Sequence, residues 1–129
     1  MNTNKKFTVI LSAFHGTDAL TNYVATEKLA RFLNVLGIDY SRAVGVYEGN
    51  PELSFAIHTS RSSVVRLLTT HALHELKQEC ILVSNNQRRN IKLVYAGNNI
   101  QIGTHFDMMV NSPKSKAYTV LNDCYYLVV

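Results

Sequence analysis

The sequence has no tryptophan, only two prolines and only two cysteines in 129 residues. Two isolated thiols, Cys80 and Cys124, with no Cys-x-x-Cys pair cannot staple a small secreted scaffold, so reduced cysteines are expected. No charged and apolar leader opens the chain, and no apolar stretch approaches the roughly 18 residues that a membrane span requires. The expectation is a soluble, cytoplasmic protein without a membrane partner. Internal repeats and low-complexity segments are also missing. Charge is scarce: 17% of residues are charged, against roughly 25% in ordinary soluble domains. Uncharged surface of that kind is expected to form an interface, and a homo-oligomer is preferred to a monomer with a large ligand groove. The balance of 13 Lys and Arg over 9 Asp and Glu gives a net charge of +4. Its cations are scattered as Lys5-Lys6, Arg42, Arg61, Arg66, Arg88-Arg89, Lys114 and Lys116. With no dense cluster along the chain, a mildly basic solvated surface is expected and a nucleic-acid partner is not.

What the chain does contain is enough for one domain. A length of 129 residues buries about two thirds of the unfolded surface, so no structural metal is required. Phe7 to Phe14 (FTVILSAF) is a short run of β-formers ending in the turn His15-Gly16-Thr17-Asp18. Thr17 or Asp18 can cap a helix that runs to Gly37, with Val24, Ala25, Leu29, Phe32, Val35 and Leu36 on one broad stripe. Gly37 sits where a C-cap glycine belongs. Residues 41–48 and 53–59 form a hairpin across Gly49-Asn50-Pro51. Ser60 or Ser62 precedes a second helix with Val64, Val65, Leu68, Ala72 and Leu76 on one arc, and Cys80 to Ser84 follows as a buried strand. A second hairpin leads to Ile91 to Tyr95, Ile100 to Ile102 adds a short edge, and Tyr125 to Val129 is a last strand. The expected fold is therefore α+β: a ferredoxin-like βαββαβ antiparallel sheet with two helices on one face and extra C-terminal strands. No third helix is available for the other face, so contact between subunits is expected to bury it.

Chemistry-bearing residues are few. His71, His74 and Glu75 share a helix, but His residues three apart do not match the i, i+4 spacing of a zinc-binding helix, and no metal site is expected. There is no G-x-S-x-G, neither cysteine has an identifiable base, and no phosphate-binding glycine loop is present. The informative stretch is Val44 to Thr59, which brings Tyr47, Glu48 and Glu52 to a hairpin tip. A solvated turn is the plain alternative. Glu75 falls on the arc of Val64 and Leu68, where a carboxylate is partly buried and needs a partner, either a ligand amine or a salt bridge at the helix edge.

At these residues the sequence resembles the bacteriophage S-adenosylmethionine lyases, once described as hydrolases and associated with evasion of host restriction. The resemblance covers about residues 8 to 110. It rests on Ser12-Ala13-Phe14, on Gly45-Val46-Tyr47 through Glu52 to Ser54-Phe55, on Glu75 through Gln78-Glu79-Cys80-Ile81-Leu82-Val83, and on Leu93-Val94-Tyr95-Ala96. It implies a ferredoxin-like subunit in a trimer similar to the signalling PII proteins, with active sites at subunit interfaces. It also implies a reaction without cofactor, in which S-adenosylmethionine (SAM) is the substrate and its own carboxylate attacks Cγ, yielding 5'-methylthioadenosine and L-homoserine lactone. The catalytic residues carried over are Glu52, which would hold the α-ammonium, and Tyr47. The link between them is shorter than in the relatives, which leaves Glu48 or Glu75 as alternative carboxylates. Ser12, Ala13, Phe14 and His15 would bind the adenine, with Phe14 either stacking or joining the core, and Glu75 is a further substrate-binding candidate. A PII-like regulatory module that binds an adenine nucleotide or SAM without turnover is the alternative function, since the same fold serves both.

Overall fold

The structure, a computed structural model, describes residues 4–16, 18–47, 50–78, 80–88, 90–95, 100–103, 106–109, 117–121 and 124–128, with the side chains of Tyr47 and of all residues beyond 95 outside that description. The elements run β1 (Phe7–Ser12), α1 (Ala19–Val35), β2 (Ser41–Tyr47), β3 (Asn50–Thr59), α2 (Ser62–Thr70) and a π-helical turn (His71–Glu75). Strands β4 (Cys80–Asn85), β5 (Asn90–Tyr95), β6 (Ile100–Gly103), β7 (Phe106–Met109), β8 (Ala117–Leu121) and β9 (Cys124–Val128) follow. One sheet holds them in the order β6-β5-β4-β1-β3-β2-β8-β9-β7, and its described pairings are antiparallel. The chain is thus α+β, and its central order β4-β1-β3-β2 is the split βαβ pattern, with one helix in each crossover. The C-terminal strands expected from the sequence extend this sheet beyond both edges of the central four.

Alternation along the central strands sorts the core. Val9, Leu11, Phe55, Ile57 and Ile81 point to the side covered by both helices, where Leu29, Ala30, Leu33, Leu68 and Ala72 complete a buried cluster. The helices therefore do lie on one face. On the other face Ile10, Ala43, Ala56, Leu82 and Ile91 form a second buried cluster, so these five residues are already covered within the single chain.

Helix ends follow local chemistry. Asp18 caps α1, its Oδ1 accepting the N–H groups of Leu20 and Thr21 at 3.1 and 3.2 Å. At the far end Gly37 has φ of 68°. Its N–H donates to Asn34 C=O at 3.1 Å, and that of Ile38 donates to Leu33 C=O at 2.9 Å, a Schellman closure. The α1 stripe is corrected: Asn22, Thr26, Leu29, Ala30 and Leu33 are buried, whereas Val24 and Val35 are 43% and 85% exposed. Apolar residues occur around this helix, so their spacing alone did not locate its inner side. The cap of α2 is corrected too. Arg61, without a side-chain capping bond, holds the position expected for Ser60 or Ser62.

At the start of β1 a polar knot crosses the helix-free face. Thr8, fully buried, has its Oγ1 2.8 Å from His58 Nδ1 and receives Asn86 Nδ2 at 2.9 Å. Ser84 donates to Asn86 Oδ1 at 2.8 Å. Thr8 Oγ1 accepts from Asn86 and can also donate its own proton to an unprotonated His58 Nδ1, an arrangement that suits the neutral imidazole. Burial pushes the His58 pKa below its ordinary value in accord with this. The unfolded chain therefore binds the extra proton first, and stability present above about pH 6.5 is lost as pH falls through the folded-state value. Urea unfolding between pH 5 and 8 is expected to show stability declining on the acid side, with His58→Gln removing part of that slope. Identical slopes in the two proteins would refute the assignment.

Candidate functional site

The turn that follows β1 is built from side-chain amides rather than apolar packing. A connection between strand and helix must satisfy its own backbone polar groups. Ser12 donates its hydroxyl to Leu53 C=O at 2.8 Å and accepts the Phe14 N–H at 3.0 Å. Asn22, on the inner side of α1 and 3% exposed, accepts the His15 N–H at 2.7 Å and donates to Gly16 C=O at 3.2 Å. Gln78 donates Nε2 to Phe14 C=O at 2.7 Å. Gly16, with φ of 66°, supplies the left-handed step of the turn. One amide from α1 and one from the segment after α2 thus hold three successive residues, Phe14, His15 and Gly16.

Gln78 arrives there because α2 does not end as an α-helix. Its last turn is π-helical, with the Leu76 N–H donating to His71 C=O at 2.9 Å. Lys77 then adopts φ of 56°, and the Gln78 N–H closes back on Ala72 C=O at 3.0 Å. The wider turn advances each residue by a smaller angle, so Glu75 leaves the arc of Val64 and Leu68 and is exposed. The expectation of a partly buried carboxylate at Glu75 is corrected accordingly.

The β2–β3 hairpin meets the same end of the sheet. Ser12 lies opposite Ser54 and Gly45 opposite Glu52. A Cβ on Gly45 would stand 2.9 Å from Ser54 Oγ, so glycine is what lets the serine lean across. Glu52 is half-buried and alternates with Leu53 and Phe55, which places it on the helix-free face with Ser54 and Ala56. The hairpin is tighter than read from sequence: β3 begins at Asn50 and includes Pro51. Pro51 lies beyond Ser54, the last residue paired to β1, where its missing N–H breaks no bond to that strand. Tyr47 ends β2 opposite Asn50 and Ala117, its register position on the face of Gly45. Glu48 lies outside the described residues.

The structure therefore gathers Ser12, Ala13, Phe14, His15 and Glu52 at adjoining strand ends, with Tyr47 on the same hairpin. Ala13 is buried in the helix-side core, so only its backbone is available to a ligand. Phe14 is half-buried and His15 exposed. Among the described residues no group of three His, Cys, Asp or Glu is placed to hold a metal ion. A model of the S-adenosylmethionine lyase family matches residues 9–129. The chain belongs to the S-adenosylmethionine lyase family. No curated protein matches the sequence.

Membership in this lyase family implies S-adenosylmethionine lyase activity. A groove of about 500 Å³ lies elsewhere, between α1 and α2, lined by Phe32, Arg66, Leu67, Thr70, His71 and Glu75. His71 stacks on Phe32 with ring centroids 3.9 Å apart. Burial pushes the His71 pKa down, and the Glu75 carboxylate partly offsets this. Glu75 belongs to this groove on the helical layer and not to the helix-free face that carries Glu52. The groove is open and mostly apolar, whereas the strand ends present backbone groups and a carboxylate.

Two residues that build this turn, Asn22 and Gln78, belong to no chemical motif in the sequence. The available signal was a polar residue on the arc of Thr26, Leu29 and Leu33, since a buried amide implies a specific partner. Replacing Asn22 with Ala leaves the His15 amide without its acceptor. The expected result is a rise in its hydrogen exchange of roughly tenfold or more, with a stability loss of about 1 to 3 kcal/mol. An unchanged His15 amide would show that the clamp is not formed in solution.

Proposed function

We propose that the chain cleaves S-adenosylmethionine by intramolecular displacement. The substrate carboxylate forms a bond to Cγ, the Cγ–S bond breaks, and its electron pair neutralises the sulfonium. The products are 5'-methylthioadenosine and L-homoserine lactone, the ammonium is retained, and no proton needs to move. The protein's share is to curl the methionyl chain and keep water from Cγ, a service worth on the order of 7 to 11 kcal/mol in well-oriented intramolecular reactions. Attack removes the carboxylate and sulfonium charges together, so a site that stabilised either strongly would slow the step. Glu52 serves best by holding the α-ammonium, which keeps its charge throughout, with Tyr47 hydrogen bonding near the same end.

The observation that carries this reading is the junction of β1 and β3. Ser12 bonds to the carbonyl of Leu53, the residue next to Glu52, so an adenine held along Ser12 to His15 leaves its amino-acid tail within reach of that carboxylate. The clamped carbonyls and N–H groups fix the backbone there before substrate binds. Glu75, on the helical layer, is assigned no contact with the reacting tail. Adenine contacts at Phe14 and His15, completion of the site at the interfaces of a trimer, and depletion of host SAM by a phage protein in the bacterial cytoplasm belong to the same proposal.

Incubation with SAM and mass analysis of the products tests it. In water enriched in heavy oxygen, a γ-oxygen free of label is expected, because that atom comes from the substrate carboxylate. Label at the γ-oxygen means direct hydrolysis, and persistence of bound, intact SAM means a regulatory module. Glu52→Gln is expected to lower turnover by roughly 100-fold through loss of orientation without changing assembly size, and Tyr47→Phe is expected to be milder. Normal turnover in Glu52→Gln would move the carboxylate role to another residue.

A further inference from the structure

The groove on the helical layer takes its α2 wall from two adjoining rows of side chains. Ser63, Leu67 and His71 follow one another at i, i+4 spacing, and Arg66 with Thr70 makes the parallel row. Successive members of a row stand roughly 5 to 6 Å apart between Cβ atoms. His71 closes α2, its N–H donating to Leu67 C=O, and opens the π-helical turn. The first row supplies the apolar surface. Leu67 is 43% exposed, and the His71 ring lies parallel to Phe32 of α1, with 3.9 Å between centroids and 6° between planes. The second row is polar.

The fold does not use the polar groups of this wall. Thr69 donates its hydroxyl to Val65 C=O at 2.8 Å. Among the described residues, by contrast, the Ser63 and Thr70 hydroxyls and the Arg66 guanidinium make no side-chain hydrogen bond or ion pair. All three are exposed. Glu75 lies about 13 Å from Arg66 along the helix axis, where it favours the charged form of His71. A volume of about 500 Å³ falls within the roughly 300 to 1,000 Å³ of small-molecule sites, which join an apolar surface to a few polar groups. We propose that this groove binds a small aromatic carboxylate, with its rings against Leu67 and the His71–Phe32 pair and its carboxylate on Arg66 and Thr70.

Charge complementarity selects this occupant. The planar fork of a guanidinium matches a carboxylate with two parallel hydrogen bonds, and hydroxyls three residues before Arg66 and four after it, Ser63 and Thr70, can add donors. A ring pair stacked in parallel offers both faces and edges to a third ring, by offset or edge-on packing. The ligand carries its negative charge at one end only, because a second anionic end would meet Glu75. The two rows thus read an apolar body with an anionic edge. The groove lies on the helical layer, whereas Glu52 is on the helix-free face, so this site is additional to the proposed lyase site and independent of it.

Titration of the isotope-labelled full chain with naphthoate, followed through backbone amide shifts, tests the site. Shifts are expected on α2, the π-helical turn and Phe32, with a dissociation constant below about 1 mM for a ligand of this size. Naphthamide, the uncharged isostere, and cyclohexanecarboxylate, an anion without an aromatic ring, are each expected to bind about fivefold more weakly or worse. Arg66→Gln is expected to weaken naphthoate roughly tenfold, to bring it level with naphthamide and to leave SAM turnover unchanged. Arg88→Gln, the same loss of charge in the turn between β4 and β5, should stay within about twofold of the parent, since charges more than a Debye length apart are screened. Circular dichroism checks that both variants fold. Equal losses in the two variants would reduce the effect to net charge and overturn the site. Equal affinity for naphthoate and naphthamide, shifts confined to Ser12 to Gly16, or an absence of binding at several millimolar would overturn it as well.

Discussion

The structure depends on β1 being hydrogen-bonded along both edges, to β3 and to β4, in a fixed register. That register sends Val9 and Leu11 under the helices and leaves Thr8, Ile10 and Ser12 on the other face. A slip of one residue would exchange the two sets, pushing Thr8 and Ser12 into the helix-side core and Leu11 out of it. It would also separate Ser12 from Leu53 and Thr8 from His58. The turn after Ser12 and the polar knot at Thr8 are both consequences of one strand being held in place.

At each end of β1 the fold uses polar side chains where a larger protein could use apolar packing. Ser12, Asn22 and Gln78 satisfy the backbone of the turn at one end, and Asn86 satisfies Lys5 and Lys6 at the other. Among the described residues no buried side-chain nitrogen or oxygen lacks a partner. A net hydrogen bond contributes only about 1 kcal/mol, but an orphaned buried group costs about 1 to 3. Such assemblies therefore specify position more than they add stability. A site that works by holding a substrate in one shape requires this kind of scaffold.

The π-helical turn links helix packing to the site. By widening the last turn of α2, it carries Glu75 to the surface beside His71 and, with Lys77 in a left-handed conformation, returns Gln78 to the turn after β1. A left-handed non-glycine residue costs on the order of 1 to 3 kcal/mol. Here that strain accompanies the delivery of a buried amide to the backbone of Phe14.

Sequence by itself determined the order of elements from β1 to β6 and the last strand, but not β7, β8 or the π-helical turn, because period-2 and period-3.6 patterns and the signals at Asp18, Gly37 and Gly49-Asn50-Pro51 are local. It also determined the family, through residues that lie in short runs such as Gly45 to Tyr47 and Ser12 to Phe14. Tertiary structure decided which side of α1 faces inward, since its apolar residues do not choose one, and it buried Ile10, Ala43, Ala56, Leu82 and Ile91 on the helix-free face. It moved Glu75 away from Glu52 and brought Asn22 and Gln78 to one turn. These outcomes rest on pairings between residues dozens of positions apart and on one non-α turn, and neither leaves a periodic mark in the chain.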